Sequence, residues 1–301
     1  MTAIEISRLV RGYDDKPAVR GLNLQVAQAE LYGLVGPDGA GKTTAISCLA
    51  GLMAPDSGNV RVLGRDPIAQ GTEVRESLGL MPAEYSLYGD LTIAENLSFF
   101  GKLFSLPAHV FRQRRDRLLE ITRLTPFLKR RASALSGGMY KKLALSAALL
   151  HQPKVLLLDE PTNGVDPVSR RELWKLIYEL VADGMAVLVS TPYMDEAARC
   201  HRVGLMHQGE LIAEGTPGSL IDELEHEVCE VVGGEREALH GVLEACSDVV
   251  AASPAGAQLR VVLTPGSRDE VAQELAPYGA TLQSISATFE DLFLARLSEA
   301  A

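Results

Sequence analysis

The chain has 301 residues, of which 47% are hydrophobic and 23% charged, with a formal net charge of −10 and four cysteines. This is the profile of an ordinary globular protein with apolar material for a large and a small core, and its acidic balance argues against broad nucleic-acid binding. No apolar run reaches the length of a membrane span, MTAIEISRLV lacks a secretion-signal pattern, and Cys48, Cys200, Cys229 and Cys246 are scattered like the reduced packing thiols of a cytosolic protein.

The apolar run LYGLVG (31–36) predicts a buried strand, and TTAISCLAGLM (43–53) the helix after it. Between roughly 85 and 150, the segments FFGKLFSL, FRQRRDRLLEITRL and MYKKLALSAALL all favour helix, which predicts a helical insertion. KVLLLDE (154–160) is apolar between Lys154 and Asp159, as suits a sheet covered on both faces. RRELWKLIYELVADG then puts Leu173, Leu176, Ile177, Leu180 and Val181 on one helical face, with Gly184 as its stop. MAVLVS (185–190) and RVGLMHQG (202–209) are two further strands, and strand–helix–strand alternation predicts an α/β fold with a mainly parallel sheet.

After about residue 225 the pattern restarts: VCEVVG, a helix from Arg236 to Cys246, VVAAS, QLRVVLTPG, a helix from Arg268 to about Leu275, a strand near TLQSIS, and a closing FEDLFLARL with Phe289, Leu292, Phe293 and Leu297 on one face. The order βαββαβ predicts a small ferredoxin-like α+β domain. The division expected is therefore 1–224 for the large domain and 225–301 for the accessory one.

Three short stretches carry chemistry. GPDGAGKTT (36–44) fits G-x-x-x-x-G-K-[ST], with Gly36, Gly41, Lys42 and Thr43 in register and Pro37, Asp38, Gly39, Ala40 and Thr44 completing the loop. Its glycines let backbone N–H groups close on phosphate oxygens, the following helix adds its positive end, Lys42 reaches the β and γ phosphates and the Thr43 hydroxyl ligates Mg²⁺. In VLLLDE, Asp159 ends a buried strand where it can hold Mg²⁺ through water, and Glu160 can poise a water for in-line attack; a capping pair before Pro161 is the plain alternative. In LSGGM, Leu135, Ser136, Gly137, Gly138 and Met139 precede a helix, forming a second bare N-terminus suited to an anion. One γ-phosphate does not need two such cradles, so the second is expected to serve a nucleotide held by another subunit; a surface loop with an N-cap serine is the alternative.

GPDGAGKTT, LSGGM, LLLDEPTNGVDP and STPYMDEA, in this order, resemble the motifs of an ATP-binding cassette (ABC) protein over about residues 3–220. The LSGGM methionine, the VDPVSRRELW run and the C-terminal extension resemble the nucleotide-binding subunits of ABC-2 type exporters, drug-efflux ATPases among them. The resemblance implies an ATPase using ATP and Mg²⁺, in a head-to-tail dimer that sandwiches two ATPs, with Asp166 in the loop that borders the opposite pocket. It implies docking on membrane permease subunits from the cytoplasmic face, and places Tyr13 as the aromatic that stacks on adenine.

Two positions depart from the family. Ala83 stands where a Gln that contacts Mg²⁺ and water is expected, with Glu84 one residue on, and Pro192 stands where a His usually bonds the γ-phosphate. None of the six histidines is adjacent; His201 lies nine positions downstream of Pro192. The expectation is a site that grips nucleotide but turns over slowly, paired with a second cassette chain, or with itself. Two other readings stay open: a soluble ABC ATPase without a permease, and an ATP-gated regulator that dimerises without turnover.

Overall fold

The structure is a computed structural model that describes every residue except Asp15, Tyr85, Ser86, Ala257 and Ala301, with Glu299 and Ala300 described by backbone alone. The chain forms two compact units, one of Met1–Tyr193 with Cys200–Leu211 and the other of Met194–Arg199 with Ile212–Ala301. Apolar patterning restarts near 225, whereas the contacts change earlier, between Leu211 and Ile212.

The first unit opens with an antiparallel sheet of β1 (Thr2–Tyr13), β2 (Lys16–Ala27) and β4 (Ser57–Val62), in the order β2-β1-β4. The main sheet has the order β5-β6-β7-β3-β8-β9: β3 (Leu31–Val35), β5 (Leu78–Met81), β6 (Val155–Asp159), β7 (Ala186–Thr191), β8 (Arg202–His207) and β9 (Glu210–Gly215). Every residue of β3, β6 and β7 is buried, which explains their unbroken apolar sequences. The pairings β5–β6, β6–β7, β7–β3 and β3–β8 are all parallel. Register matches Val35 with Thr191 and Asp159 with Ser190, so the carboxyl ends of three strands meet on one edge. Loops leaving that edge carry the chemistry.

Helix α1 (Lys42–Leu49) follows β3, and α2 (Gly71–Ser77) precedes β5. The helix expected to Met53 stops at Leu49, because Gly51 turns the chain at φ +68°, where a Cβ would lie 2.5 Å from the Pro67 carbonyl oxygen. Ile4, Leu22, Leu34, Ile46, Leu49, Leu157 and Leu188 share one apolar core drawn from both sheets and α1. Between β5 and β6 lie α3 (Ile93–Leu103), α4 (Ala108–Ile121) and α5 (Gly137–Leu149), the expected insertion. Thr92 and Glu95 form a capping box at the start of α3. Helix α6 (Pro167–Ala182) buries Leu173, Leu176, Ile177 and Val181 as its spacing predicts, together with Trp174, while Leu180 stays half-buried.

The second unit holds α7 (Met194–Ala197), α8 (Pro217–Asp222) and the run β10 (Glu227–Gly233), α9 (Arg236–Ala245), β11 (Val249–Ala255), β12 (Gln258–Leu263), α10 (Arg268–Leu275), β13 (Ala280–Ser284), α11 (Phe289–Ala300). Its sheet is antiparallel with the order β11-β12-β10-β13, the ferredoxin-like arrangement that the βαββαβ pattern predicts. Arg260 clamps Asp291 with two bonds, Nε to Oδ1 at 2.7 Å and Nη2 to Oδ2 at 2.6 Å, and Thr288 adds its N–H and hydroxyl. Burial alone would raise the Asp291 carboxyl, but these bonds outweigh it and leave its pKa below the ordinary 3.8. A depressed folded-state pKa contributes stability above that ordinary value and loses it as pH falls through the folded one. Asp291→Asn is expected to cost about 2 kcal/mol at neutral pH, and the difference from the parent should shrink below about pH 4. Chemical denaturation across pH 3–7, followed in this unit, measures both.

The four cysteines are thiols rather than disulfides, with Cys48, Cys200 and Cys229 buried. Burial pushes the Cys48 thiol up to about 11, which makes it a packing group rather than a nucleophile. Among the described residues, no helix is long and apolar enough to cross a membrane.

Candidate functional site

The loop between β3 and α1 cannot be built from ordinary residues. At Gly41, where φ is +104°, a Cβ would fall 2.2 Å from the Ala18 carbonyl oxygen; at Gly36 it would fall 2.1 Å from that of Met206. Gly41 is the N-cap of α1 and no side chain caps the helix, so its first-turn N–H groups are left to an outside acceptor. Lys42 is 3% exposed, and its Nζ donates to the carbonyls of Gly36 (2.7 Å) and Pro37 (2.9 Å). Burial pulls its pKa down, against the opposing pull of Glu160, Asp38 and Asp159. An ammonium held this way gains by meeting phosphate.

A cleft of about 470 Å³ opens here, lined by Tyr13, Ala18, the 38–44 loop and Glu160. Thr43 is exposed, so its hydroxyl is open to an outside partner. Tyr13 is half-exposed, with its hydroxyl 3.4 Å from Thr44 Oγ1 and the Arg11 guanidinium 5.8 Å from its ring centre. The structure therefore brings Tyr13, the phosphate loop and Glu160 together. Residues 135–139 are not among those lining this cleft.

Asp159 and Glu160 sit where β6 ends. Asp159 is 2% exposed, and its Oδ1 accepts from Ser190 Oγ at 2.5 Å, across the register pair between β6 and β7. Glu160 has φ +47°, a left-handed backbone costing a non-glycine residue about 1 kcal/mol. Its N–H donates to the Ser190 carbonyl (3.2 Å) and hydroxyl (3.1 Å). Its carbonyl accepts from Lys141 Nζ at 3.3 Å, and the same ammonium reaches the Ala83 carbonyl at 3.3 Å. Burial lowers the Lys141 pKa while Glu160 and Asp159 pull it up. The carboxylate points into the cleft, with Oε1 at 3.8 Å from Lys42 Nζ and Oε2 accepting from Asn163 Nδ2 at 3.2 Å. Among the described residues no group of three or more His, Cys, Asp or Glu could hold a metal unaided. One hydroxyl, one carboxylate and the ligand's own phosphates suit Mg²⁺, so the residues present fit the group.

Near Ala83 the described backbone is held by bonds from other elements, and position 83 offers only a methyl group. Leu87 N–H donates to the Tyr140 hydroxyl at 2.9 Å, and buried Asn96 bonds the backbone of Tyr88, Leu91 and Thr92. Glu84 is exposed rather than turned inward. Pro192 follows β7 directly. His201 bonds Leu31 at both N–H and carbonyl, at the end of β3 away from the phosphate loop. Four residue steps along that strand make roughly 13 Å, so His201 does not replace the missing group.

The LSGGM glycines have a packing reason of their own. A Cβ on Gly137 would lie 2.7 Å from the Gly164 carbonyl oxygen, and one on Gly138 would lie 2.4 Å from both Cβ and Oγ of Ser169. The turn after Glu160 thus rests on the start of α5. Ser136 caps that helix by accepting from Met139 N–H at 3.4 Å, and Asp166 caps α6 by accepting from Val168 and Ser169 at 3.0 and 2.9 Å. Both caps stay exposed, and half-buried Leu135 and Met139 flank the first. Sequence reasoning missed Ser190 and Lys141, which reach Glu160 from 30 and 19 residues away, Tyr193, which reaches Asn163 across 30, and Asn163 itself, three residues from Glu160.

Fold and loop together define a P-loop nucleotide-binding protein. Comparison narrows this: the family described as ABC transporter matches residues 19–163. The chain is 41% identical over 244 residues to the Nod factor export ATP-binding protein I of Paraburkholderia xenovorans, covering 80% of each. It is 51% identical over 206 residues to the probable multidrug ABC transporter ATP-binding protein YbhF of Escherichia coli, covering 68% of this chain and 36% of that longer protein. The structure of an ATP-binding subunit of an ABC transporter superposes with TM-score 0.68 at 28% identity, over 74% of this chain and 93% of that one. That of cbiO1 from Clostridium perfringens, part of the cbiONQ complex, superposes with TM-score 0.67 at 27% identity, over 74% and 91%. The chain belongs to the ABC transporter family of ATP-binding cassettes.

Proposed function

We propose that this chain is the ATP-binding subunit of an export-type transporter of the ABC-2 class, working on the cytoplasmic face of a membrane beside separate permease subunits. A relative named for Nod factor export supports the direction, and one named as a probable multidrug ABC transporter protein is compatible with it. In this reading Tyr13 stacks on adenine, residues 36–44 wrap the phosphates, Thr43 and Asp159 hold Mg²⁺, and Glu160 takes the proton of the attacking water. Mg²⁺, when bound, neutralises charge between the β and γ phosphates. Leu135 to Met139 and Asp166 close the opposite pocket of a head-to-tail dimer, which accounts for their absence from this chain's own cleft.

The observation that carries the reading is an asymmetry among the residues at the ends of β6 and β7 and around the phosphate loop. Lys42, Asp159 and Glu160 are fully supported by Gly36, Pro37, Ser190 and Asn163, while Ala83 and Pro192 offer no side-chain donor or acceptor. Groups that orient water contribute several kcal/mol to phosphoryl transfer, about 1.4 kcal/mol per tenfold. Affinity is thus retained and rate is low. A second cassette chain with intact loops would supply the faster site of a heterodimer.

The test is the purified chain alone. It is expected to retain ATP and to hydrolyse it slowly, with the residual rate lost in Glu160→Gln. Brisk multiple turnover, also abolished by Glu160→Gln, would refute the slow-site reading.

A further inference from the structure

We propose that Asn163 and Tyr193 are positioning residues for Glu160, forming a tether from the first turn of α6 to the carboxylate. The proposal rests on Glu160 acting as the base, not on how fast the site runs.

A glutamate side chain has three rotatable bonds, so a fixed backbone does not aim its carboxylate. The Glu160 backbone is fixed at both ends by Ser190 and Lys141. Beyond it, among the described residues, the carboxylate meets Lys42 at 3.8 Å and Asn163 Nδ2 at 3.2 Å. Lys42 turns to phosphate when nucleotide is bound, which leaves the amide of Asn163 as the fixed contact. Asn163 lies one turn away, with its backbone N–H donating to the Glu160 carbonyl at 3.2 Å.

An amide can present either oxygen or nitrogen to a neighbour, and only the nitrogen suits a carboxylate. Tyr193 sets the orientation. Its hydroxyl donates to Asn163 Oδ1 at 3.3 Å, so the nitrogen is turned to Glu160. Tyr193 is held in turn by its N–H to Thr191 Oγ1 at 3.1 Å and by the Arg170 guanidinium, 4.8 Å from its ring centre. Arg170 N–H bonds the Asp166 carbonyl at 2.8 Å. The tether therefore begins at the cap of α6, beside Ser169 and the Gly138 contact, and ends at Glu160. Pro192 has no N–H and no polar side chain, and the next residue, Tyr193, reaches Asn163 in the 159–163 turn.

The experiment is single-turnover hydrolysis of γ-labelled ATP by the full chain in excess, with ATP affinity measured in parallel. Tyr193→Phe removes one oxygen and is expected to slow hydrolysis about 3- to 10-fold, with affinity changed less than about twofold. Asn163→Ala should slow it by a similar or larger factor. Asn163→Asp, which sets a second carboxylate against Glu160, should be slower still. The Tyr193→Phe, Asn163→Ala double variant should be no slower than Asn163→Ala alone, because the hydroxyl acts through the amide. Independent, multiplying effects would overturn the tether, as would Tyr193→Phe and Asn163→Ala both hydrolysing at the parent rate while Glu160→Gln stops hydrolysis. A parent rate in Glu160→Gln itself would instead remove the base assignment, and the tether with it.

Discussion

Lys42→Ala is expected to weaken ATP binding by about 100-fold, the largest loss available from one side chain in this cleft. The ammonium is 3% exposed and already carries two carbonyl acceptors, those of Gly36 and Pro37. It is therefore aimed before the ligand arrives, and little side-chain entropy is lost on binding. Truncation removes the charge-assisted bonds to phosphate and leaves two loop carbonyls without their donor. Because an uncapped helix N-terminus and a glycine-built loop remain, some affinity should persist. Calorimetric titration measures the loss, and thermal unfolding gives an independent readout. Saturating ATP should raise the midpoint of the parent and barely move that of the variant. Equal ATP-induced stabilisation of the two would show that the cleft lined by Tyr13 and residues 38–44 is not where the nucleotide sits.

Parts of this site are readable from the sequence because their physics is local. The phosphate loop announces itself through glycine spacing, since only glycine fits beneath the Ala18 and Met206 carbonyls at Gly41 and Gly36. Buried strands such as β6 and β7 appear as apolar runs, and the βαββαβ order of the second unit follows from alternating patterns. The N-terminal sheet is harder. Ile4 and Ile6 begin a period of two, but register shifts after Ile6 and Leu9, with Arg8 at φ +49°, break it before a strand pattern accumulates. The supports of Glu160 are harder still. Ser190 is 30 residues away from it, and Lys141 looks like half of a solvated Lys-Lys pair. The structure bonds both lysines, Lys141 to the carbonyls of Ala83 and Glu160, and Lys142 to Glu172. No local rule distinguishes such a lysine from a surface one.

Restoring both missing side chains, Ala83→Gln with Pro192→His, is expected to raise turnover of the isolated chain by about 10- to 100-fold while leaving its apparent ATP affinity within about threefold. The backbone at both positions is already in place, which is why a gain rather than a collapse is expected. The Ala83 carbonyl is held by Lys141, and the loop beyond it by Tyr140 and Asn96, through bonds that do not involve the side chain at 83. Ala83 and Pro192 are both partly exposed, so larger side chains do not meet a closed core. Replacing proline loosens the unfolded chain by about 0.5–1 kcal/mol, small beside the stability of a chain this size. The two groups should cooperate, the glutamine ordering the water and the histidine bonding the terminal phosphate that the water attacks, so Pro192→His alone should give less than half of the logarithmic gain. Steady-state phosphate release separates kcat from KM here, and adding Glu160→Gln to the restored chain should return it to the floor. A folded, ATP-retaining double variant that turns over no faster than the parent would mean that something other than those two absent groups limits the rate, with closure of the proposed head-to-tail dimer the next step to measure.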